Sequence, residues 1–230
     1  YHADMNAAAV ERLMLKSRLR KAFEKNELRV HYQPKVSLRD GTIVGAEALV
    51  RWELTDRGIV LPSEFIPLAE ESNLILQIGE WVLDCVCTDY QKWAMTPARP
   101  GRVSVNLSLR QLKQRDFISR VQAIYAKHGV APDALELEIT ETTLMEDPKR
   151  TLHLLHELHR LGLRLAIDDF GIGYSSLSAL QQFPISTLKI DQSFVQNATS
   201  DHDQATIVAL IIEMGHSLKL EVVAEGVESE

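Results

Sequence analysis

The sequence predicts an α/β fold, a modified TIM (β/α)8 barrel whose first strand is antiparallel. Five apolar segments typical of short buried strands begin at residues 103, 135, 164, 187 and 221, with helical patterns between them. Repeated strand-then-helix units require a parallel sheet covered by helices. Two earlier β-rich segments bring the strands to seven, which fits a barrel better than a short open sheet. We expect the eighth strand beyond Glu230.

The two earlier segments predict the antiparallel start of the barrel. ELRVHYQPKVSL and TIVGAEALVRW are joined through Asp40-Gly41, a residue pair typical of a tight hairpin. Before them, residues 5–25 predict an amphipathic helix that could connect to an upstream domain. Its apolar side chains near one side are Leu13, Leu15, Leu19 and Phe23.

The helices between the later strands are delimited by glycine and proline. Helical patterns cover 147–161 and 203–219. Gly129, Pro132 and Gly162 mark the points where helices stop or restart. The alternation of strand and helix patterns, separated by glycine or proline, therefore continues to the last strand segment.

Composition narrows the class of protein. The 230 residues are 45% hydrophobic and 25% charged, which suits one large domain with a substantial core. No apolar run approaches the roughly 20 residues that span a bilayer, and no signal-peptide pattern opens the chain. Cys85 and Cys87 lie two apart on a predicted helix and face different ways, so we expect reduced thiols and a cytoplasmic domain. A net charge of −7 argues against a polymeric nucleic acid as partner.

Polar residues recur at or just past the ends of the five parallel strands. They are Asn106, Glu138, Asp168, Lys189 and Glu225. In a barrel of this kind, the carboxyl ends of the strands form the floor of the active site. Taken singly, a strand-end acid is more often a helix cap or a turn residue than part of a site. The coincidence at five strand ends favours one shared site.

The acids of this predicted site require cations. Glu47 and Arg51 share a face of the second strand with Leu49. Carboxylates converge from Glu47, Glu138, Asp168, Asp169 and Glu225. Like charges so close repel unless a cation lies between them, and their oxygen atoms suit Mg²⁺ or Mn²⁺.

The adjacent Asp168 and Asp169 suggest two metal ions. Neighbouring side chains on a strand point to opposite faces, so these carboxylates can act together only where the strand is ending and the chain turns. Each could then bind a different ion, and one could bridge both. Two such ions clamp the attacking and leaving oxygens of an in-line phosphoryl displacement. Lys189 would supply a fixed positive charge near an anionic substrate or the attacking water.

Six motifs, in order, resemble the EAL family of cyclic di-GMP phosphodiesterases. They are EALVRW at 47–52, NLS at 106–108, EITE at 138–141, DDFGIGYSSL at 168–177, LKIDQSFV at 188–195 and VVAEGVE at 222–228. The opening of the chain resembles the segment that joins a GGDEF domain to an EAL domain. The resemblance therefore implies a linker helix at 1–26 and a C-terminally incomplete EAL domain at 27–230.

The resemblance implies hydrolysis of cyclic di-GMP to linear pGpG in bacterial second-messenger signalling, with Mg²⁺ or Mn²⁺ and inhibition by Ca²⁺. One metal would be held by Glu47, Asn106, Glu138 and Asp168, and the second by Asp168, Asp169 and Glu225. Lys189 would position or help to activate the attacking water. The catalytic residues would be Lys189, Glu225 and Glu47. Gln33, Leu49, Arg51 and Asp191 would contact the dinucleotide, and Glu141 and Glu228 would support the loops.

The resemblance also implies partners and leaves alternatives open. A homodimer and an upstream GGDEF or sensory domain are expected, and the whole protein could be membrane-anchored. A receptor that binds cyclic di-GMP without turnover is one alternative, and a different metal-dependent barrel enzyme, such as an enolase-type lyase, is another. Ile172 stands where the family usually has threonine in DDFGTG. The family's late glutamine would lie beyond Glu230.

Overall fold

The structure, a computed structural model, describes residues 2–96, 100–173 and 180–227, with side chains of the first helix described from Val10 onward. The chain divides into two units. The first comprises Tyr1–Val105 and Lys113–Val130, and the second comprises Asn106–Leu112 and Ala131–Glu230. Within the described residues, no helix combines the length and the apolar character needed to cross a membrane.

The described elements follow the predicted order of helices and strands. Up to Val130 they are α1 (His2–Leu19), β1 (Leu28–Val36), β2 (Ile43–Leu54), β3 (Gly58–Val60), α2 (Pro62–Glu71), α3 (Leu74–Ala94), β4 (Arg102–Asn106), α4 (Leu109–Leu112) and α5 (Phe117–His128). After a short 3₁₀ helix they are β5 (Leu135–Thr140), α6 (Glu141–Glu146), α7 (Pro148–Arg160), β6 (Arg164–Phe170), β7 (Thr187–Ile190), α8 (Gln192–Val195), α9 (His202–Ser217) and β8 (Glu221–Ala224).

The predicted antiparallel hairpin opens the sheet of the first unit. β1 pairs antiparallel with β2, with Gln33 opposite Glu47. At the turn, the Ser37 N–H donates to the Thr42 carbonyl over 2.8 Å, and Gly41 adopts φ +70°, a left-handed conformation that suits glycine. β4 then pairs with β2 in parallel.

The first unit differs from the prediction in one strand that was not predicted and in one helix that ends earlier than predicted. The sequence did not indicate β3, a three-residue strand antiparallel to β2, because so short a segment carries no alternation to recognise. The first helix was predicted over 5–25 but ends at Leu19. Turns follow, and Asn26 adopts φ 56°, which no helix accommodates.

The core of the first unit forms between the strands and the helices that cover them. Trp52 and Phe65 are fully buried, and their rings meet edge to face at a centroid distance of 5.9 Å. Leu15 and Leu19 of α1 are also buried. Burial of these large apolar side chains supplies the main driving force for packing α1 and α2 beside the sheet.

Four parallel strands form the second unit in the order β5-β6-β7-β8. β5 is buried on both faces. Its odd-numbered residues are apolar, whereas Glu136 and Glu138 point to the opposite face. Leu155 and Leu158 of α7 are fully buried. A strand that alternates leucine with buried glutamate has one face for helix packing and one for chemistry.

Candidate active site

A buried ammonium group lies among three carboxylates at the carboxyl ends of the second unit's strands. Lys189 of β7 is only 1% exposed. Its Nζ lies 2.7 Å from Glu138 Oε2, 2.9 Å from Asp168 Oδ1 and 2.6 Å from Glu225 Oε1. Parallel strands bring their carboxyl ends to the same edge of the sheet, so residues distant in sequence meet here.

A second buried polar pair lies one step back along the same strands. Thr187 Oγ1 donates to Glu136 Oε1 over 2.6 Å, and both residues are buried. Thr187 and Lys189 are two apart on β7, as Glu136 and Glu138 are on β5, so the two contacts lie on one face. Sequence reasoning missed this pair, although the alternation in LELEIT could have indicated it.

Asp168 and Asp169 lie together because the backbone leaves regular strand geometry. The register of β6 against β7 shifts between Ile167 and Phe170, and Asp169 adopts φ 53°. Such a bulge re-aims a side chain that would otherwise point to the opposite face. The Asp169 N–H donates to Asp168 Oδ1 over 3.1 Å. Carboxylate oxygens of Asp168, Asp169 and Glu225 all lie within 4.8 Å of one another.

The electrostatics of this cluster suit a divalent cation. Burial raises the pKa of Asp169, and the negative charges of Asp168 and Asp191 raise it further, whereas Lys189 lowers it. The Lys189 ammonium group contacts three carboxylates and Asp169 adds a fourth to the cluster, so among these described groups negative charge is in excess. The donors are all hard oxygen atoms, the ligands that Mg²⁺ and Mn²⁺ prefer. The residues present therefore fit such an ion.

Glu141 holds the loop that follows Asp169. Its side chain is buried, and Oε2 accepts hydrogen bonds from the N–H groups of Gly171 and Gly173, each over 3.1 Å. Bonds from backbone N–H groups to a buried carboxylate are of the stronger, charge-assisted kind. Glu141 is the first residue of α6 and thus joins that helix to the loop, and its supporting role in a functional site stays a prediction. Glu228, the other residue predicted to support the site, lies outside the described residues.

The remaining predicted residues of the second unit are Asn106 and Asp191. Asn106 precedes Leu107, whose N–H donates to the Glu138 carbonyl over 2.8 Å, so Asn106 lies beside β5. Asp191 is buried and caps α8, with Oδ1 accepting from the Ser193 N–H over 2.9 Å and from the Ser193 hydroxyl. A contact between Asp191 and the dinucleotide stays a prediction.

Four predicted residues belong to the first unit. Gln33 and Glu47 are directly opposite on β1 and β2, and Leu49 and Arg51 follow Glu47 on the same face. All three β2 side chains are half-buried. Glu47 is also in register with Ser104 of β4, whose hydroxyl accepts from Lys35 Nζ over 2.6 Å. The metal-binding and substrate-binding roles of these four residues stay predictions.

The fold and the site define an α/β protein with an acidic cluster, compatible with metal binding, at the carboxyl ends of parallel strands. The family model described as EAL domain matches residues 16–230. The chain belongs to the EAL domain family.

Curated relatives are much longer than this chain. It is 43% identical over 230 residues to MucR of Pseudomonas aeruginosa, described as a bifunctional diguanylate cyclase/cyclic di-GMP phosphodiesterase, covering 100% of this chain and 34% of MucR. It is 46% identical over 231 residues to an uncharacterized signaling protein of Caulobacter vibrioides, covering 100% of this chain and 28% of that protein. The chain thus spans about a third or less of their length.

Solved structures confirm the predicted fold class. The MucR phosphodiesterase in a c-di-GMP complex matches with a TM-score of 0.90 and 43% identity, over 94% of this chain and 88% of that one. The EAL enzyme Bd1971, bound to cAMP and cyclic di-GMP, matches with a TM-score of 0.89 and 34% identity, over 97% of this chain and 61% of that one.

Proposed function

We propose that this domain hydrolyses cyclic di-GMP to linear pGpG with Mg²⁺ or Mn²⁺. One observation carries the proposal: the cluster of Asp168, Asp169 and Glu225 around buried Lys189, at the carboxyl strand ends of an EAL domain. The similarity to a MucR structure that is a c-di-GMP complex supports the choice of substrate.

Two metal ions would be held by the strand-end acids. Asp168, Asp169 and Glu225 would hold one, and Asp168 would share the other with Glu138, Asn106 and Glu47. When bound, the ions would stabilise negative charge on the phosphoryl oxygens and favour a deprotonated nucleophile. The mutual proximity of the carboxylate oxygens of Asp168, Asp169 and Glu225 supports this assignment for the first ion.

The protein's own residues would hold the acidic side chains, orient the attacking water and balance charge during the reaction. Lys189 would keep Glu138, Asp168 and Glu225 in place through its three ion pairs and would position the attacking water. That water would bond to phosphorus while the bond to the 3′ oxygen breaks, and the 3′ oxygen would leave with a proton. Opening the ring at one phosphodiester gives pGpG.

Substrate binding would fall to the face of β2 and its neighbours. The Arg51 guanidinium offers the charge and the planar donor geometry that suit a phosphate. Gln33 and Leu49 would contact the dinucleotide beside it, with Asp191 nearby. The register of β1 against β2, which puts Gln33 opposite Glu47, supports a shared role for these residues.

The rest of the cellular role is part of the same proposal. We expect a homodimer, an upstream GGDEF or sensory domain in the same polypeptide, a cytoplasmic position for this domain and no polymeric nucleic acid partner. The description of MucR as a bifunctional cyclase and phosphodiesterase supports the upstream GGDEF domain.

The deciding experiment incubates the protein with cyclic di-GMP and Mn²⁺ and separates the products by chromatography. We expect pGpG to accumulate, chelation to stop its formation, Mg²⁺ or Mn²⁺ to restore it, and Ca²⁺ to fail because it prefers longer bonds and looser geometry. Calorimetry with cyclic di-GMP in Ca²⁺ measures binding separately. Binding without pGpG would indicate a receptor, and absence of both would overturn the proposal.

A further inference from the structure

The short helix α8 packs against the loop that follows Asp169. Gly171 adopts φ +107°, and a Cβ atom there would lie 2.8 Å from Phe194 Cε2 and 3.2 Å from Cζ. Carbon atoms do not approach so closely, so the Phe194 ring occupies the space that a side chain at position 171 would need. The ring of α8 therefore limits where this loop can lie.

The same helix packs against the loop that follows Glu225. Gly226 adopts φ +69°, and a Cβ atom there would lie 2.8 Å from Gln192 Cβ. Gln192 is the first residue of α8 and Phe194 the third. One helical turn thus contacts both loops at glycines that adjoin the metal-compatible carboxylates.

The helix is itself anchored to the strand that carries Lys189. α8 begins directly after Asp191, whose carboxylate caps the Ser193 N–H, and Asp191 follows Ile190 at the end of β7. The N-terminal end of α8 is therefore fixed both by its direct connection to β7 and by the Asp191 cap. From this fixed end, α8 contacts both loops.

We propose that Phe194 and Gln192 are positioning residues that set the separation between Asp169 and Glu225. They do so through their contacts with Gly171 and Gly226. The proposal rests on the proposed function in one respect, namely that these carboxylates hold metal. Outer contacts of this kind orient ligands, and losing them typically costs about 10- to 100-fold in metal affinity or activity.

Two glycines give a matched comparison. Gly226→Ala places a Cβ atom against Gln192 at φ +69°, whereas Gly41→Ala places one in open space at φ +70°. Both changes impose a similar backbone strain, but Gly226 directly follows Glu225, so rescue by Gln192→Gly, and not the comparison with Gly41→Ala alone, isolates the contact. At the other contact, Phe194→Ala removes the ring, whereas Phe194→Leu keeps an apolar side chain against Gly171. Combining Gln192→Gly with Gly226→Ala removes the Gln192 Cβ atom and so restores room for the new Cβ atom at position 226.

Mn²⁺ binding to the metal-free protein is measured by electron paramagnetic resonance, with circular dichroism for folding and pGpG formation alongside. We expect Gly226→Ala and Phe194→Ala to weaken Mn²⁺ binding by about 10- to 100-fold. Gly41→Ala should bind as the wild type does, Phe194→Leu should lie between, and Gln192→Gly should recover binding in the Gly226→Ala background.

The outcomes separate this proposal from the proposed function. Wild-type Mn²⁺ affinity in folded Gly226→Ala and Phe194→Ala variants overturns the positioning role, even when the wild type makes pGpG. A wild type that binds Mn²⁺ without making pGpG overturns only the enzymatic proposal, provided that the variants still lose affinity. Should Gly226→Ala fail to fold, Phe194→Ala decides, and a wild type that binds no Mn²⁺ overturns both.

Discussion

Replacing Lys189 by methionine tests whether its ammonium group balances the buried acids. Methionine preserves most of the side chain's length and volume and removes the charge together with its N–H donors. Three carboxylates within 2.6–2.9 Å then lose their counter-charge in a site where Lys189 is 1% exposed. Removing one partner of a buried ion pair costs about 3–5 kcal/mol because the other charge is left uncompensated.

We therefore expect the metal-free Lys189→Met variant to lose about 3–5 kcal/mol of unfolding free energy. For a chain of this size, that loss corresponds to a melting temperature lower by roughly 6–20 °C. Mn²⁺ should stabilise the variant more than the wild type, because binding to the folded state alone raises stability and the ion replaces the lost positive charge. Urea titration in chelator and in Mn²⁺ measures both effects.

Lys127→Met is the matched control. Lys127 Nζ lies 2.7 Å from Asp84 Oδ1, a distance like those at Lys189, but the Lys127 side chain is 64% exposed. An exposed pair of this kind contributes about 0–1 kcal/mol. If Lys189→Met in chelator loses no more stability than Lys127→Met, the ammonium group does not balance the acids, and the charge argument for the site is refuted.

Three further predictions concern Glu47, Ile172 and the two cysteines. Glu47→Gln should slow pGpG formation at least about 100-fold, on the order of 3 kcal/mol of barrier, with an unchanged circular dichroism spectrum, and normal turnover would mean that Glu47 is no ligand. Ile172 is 61% exposed. Ile172→Thr should lower the Mg²⁺ concentration needed for turnover, because it adds a hydroxyl group to the loop after Asp169. Weaker dimerisation in sedimentation would instead indicate that Ile172 contacts a partner subunit. Burial raises the pKa of Cys85 to about 11 and of Cys87 to about 12. Both thiols should therefore react slowly with a thiolate-selective reagent at pH 8 in the native protein and rapidly in the unfolded protein. Fast labelling of the native protein would contradict this.

The order of elements could be predicted because its signals are local. Asp40-Gly41 identified the hairpin, and Gly129 ends α5 at φ 61° as a glycine cap should. The helix predicted at 147–161 is α7, Pro148–Arg160. β3 escaped notice because its three residues acquire strand geometry only by pairing with β2. Its formation depends on a neighbour that no local pattern encodes.

The sequence indicated the residues of the second unit's acidic cluster and also Glu141, but it did not indicate the contacts that α8 makes with the two loops. Four residues of the cluster were recognisable because each lies at or near the end of an apolar strand segment, namely Glu138, Asp168, Lys189 and Glu225. The parallel topology then brings these strand ends to one edge of the sheet. The contacts of Phe194 with Gly171 and of Gln192 with Gly226 join loops that are distant in sequence. Only packing in three dimensions brings these groups together, so no spacing rule indicates them.

The adjacent Asp168 and Asp169 show where sequence reasoning about strands reaches its limit. Alternation alone separates two neighbouring carboxylates onto opposite faces, so the sequence predicts that the strand is ending at this point. The structure solves the problem differently, since β6 continues to Phe170 and the register shift and the left-handed Asp169 lie within it. A non-glycine residue in that conformation costs free energy. Strain at a residue whose carboxylate lies within 4.8 Å of those of Asp168 and Glu225 is what a site built to share a cation would retain.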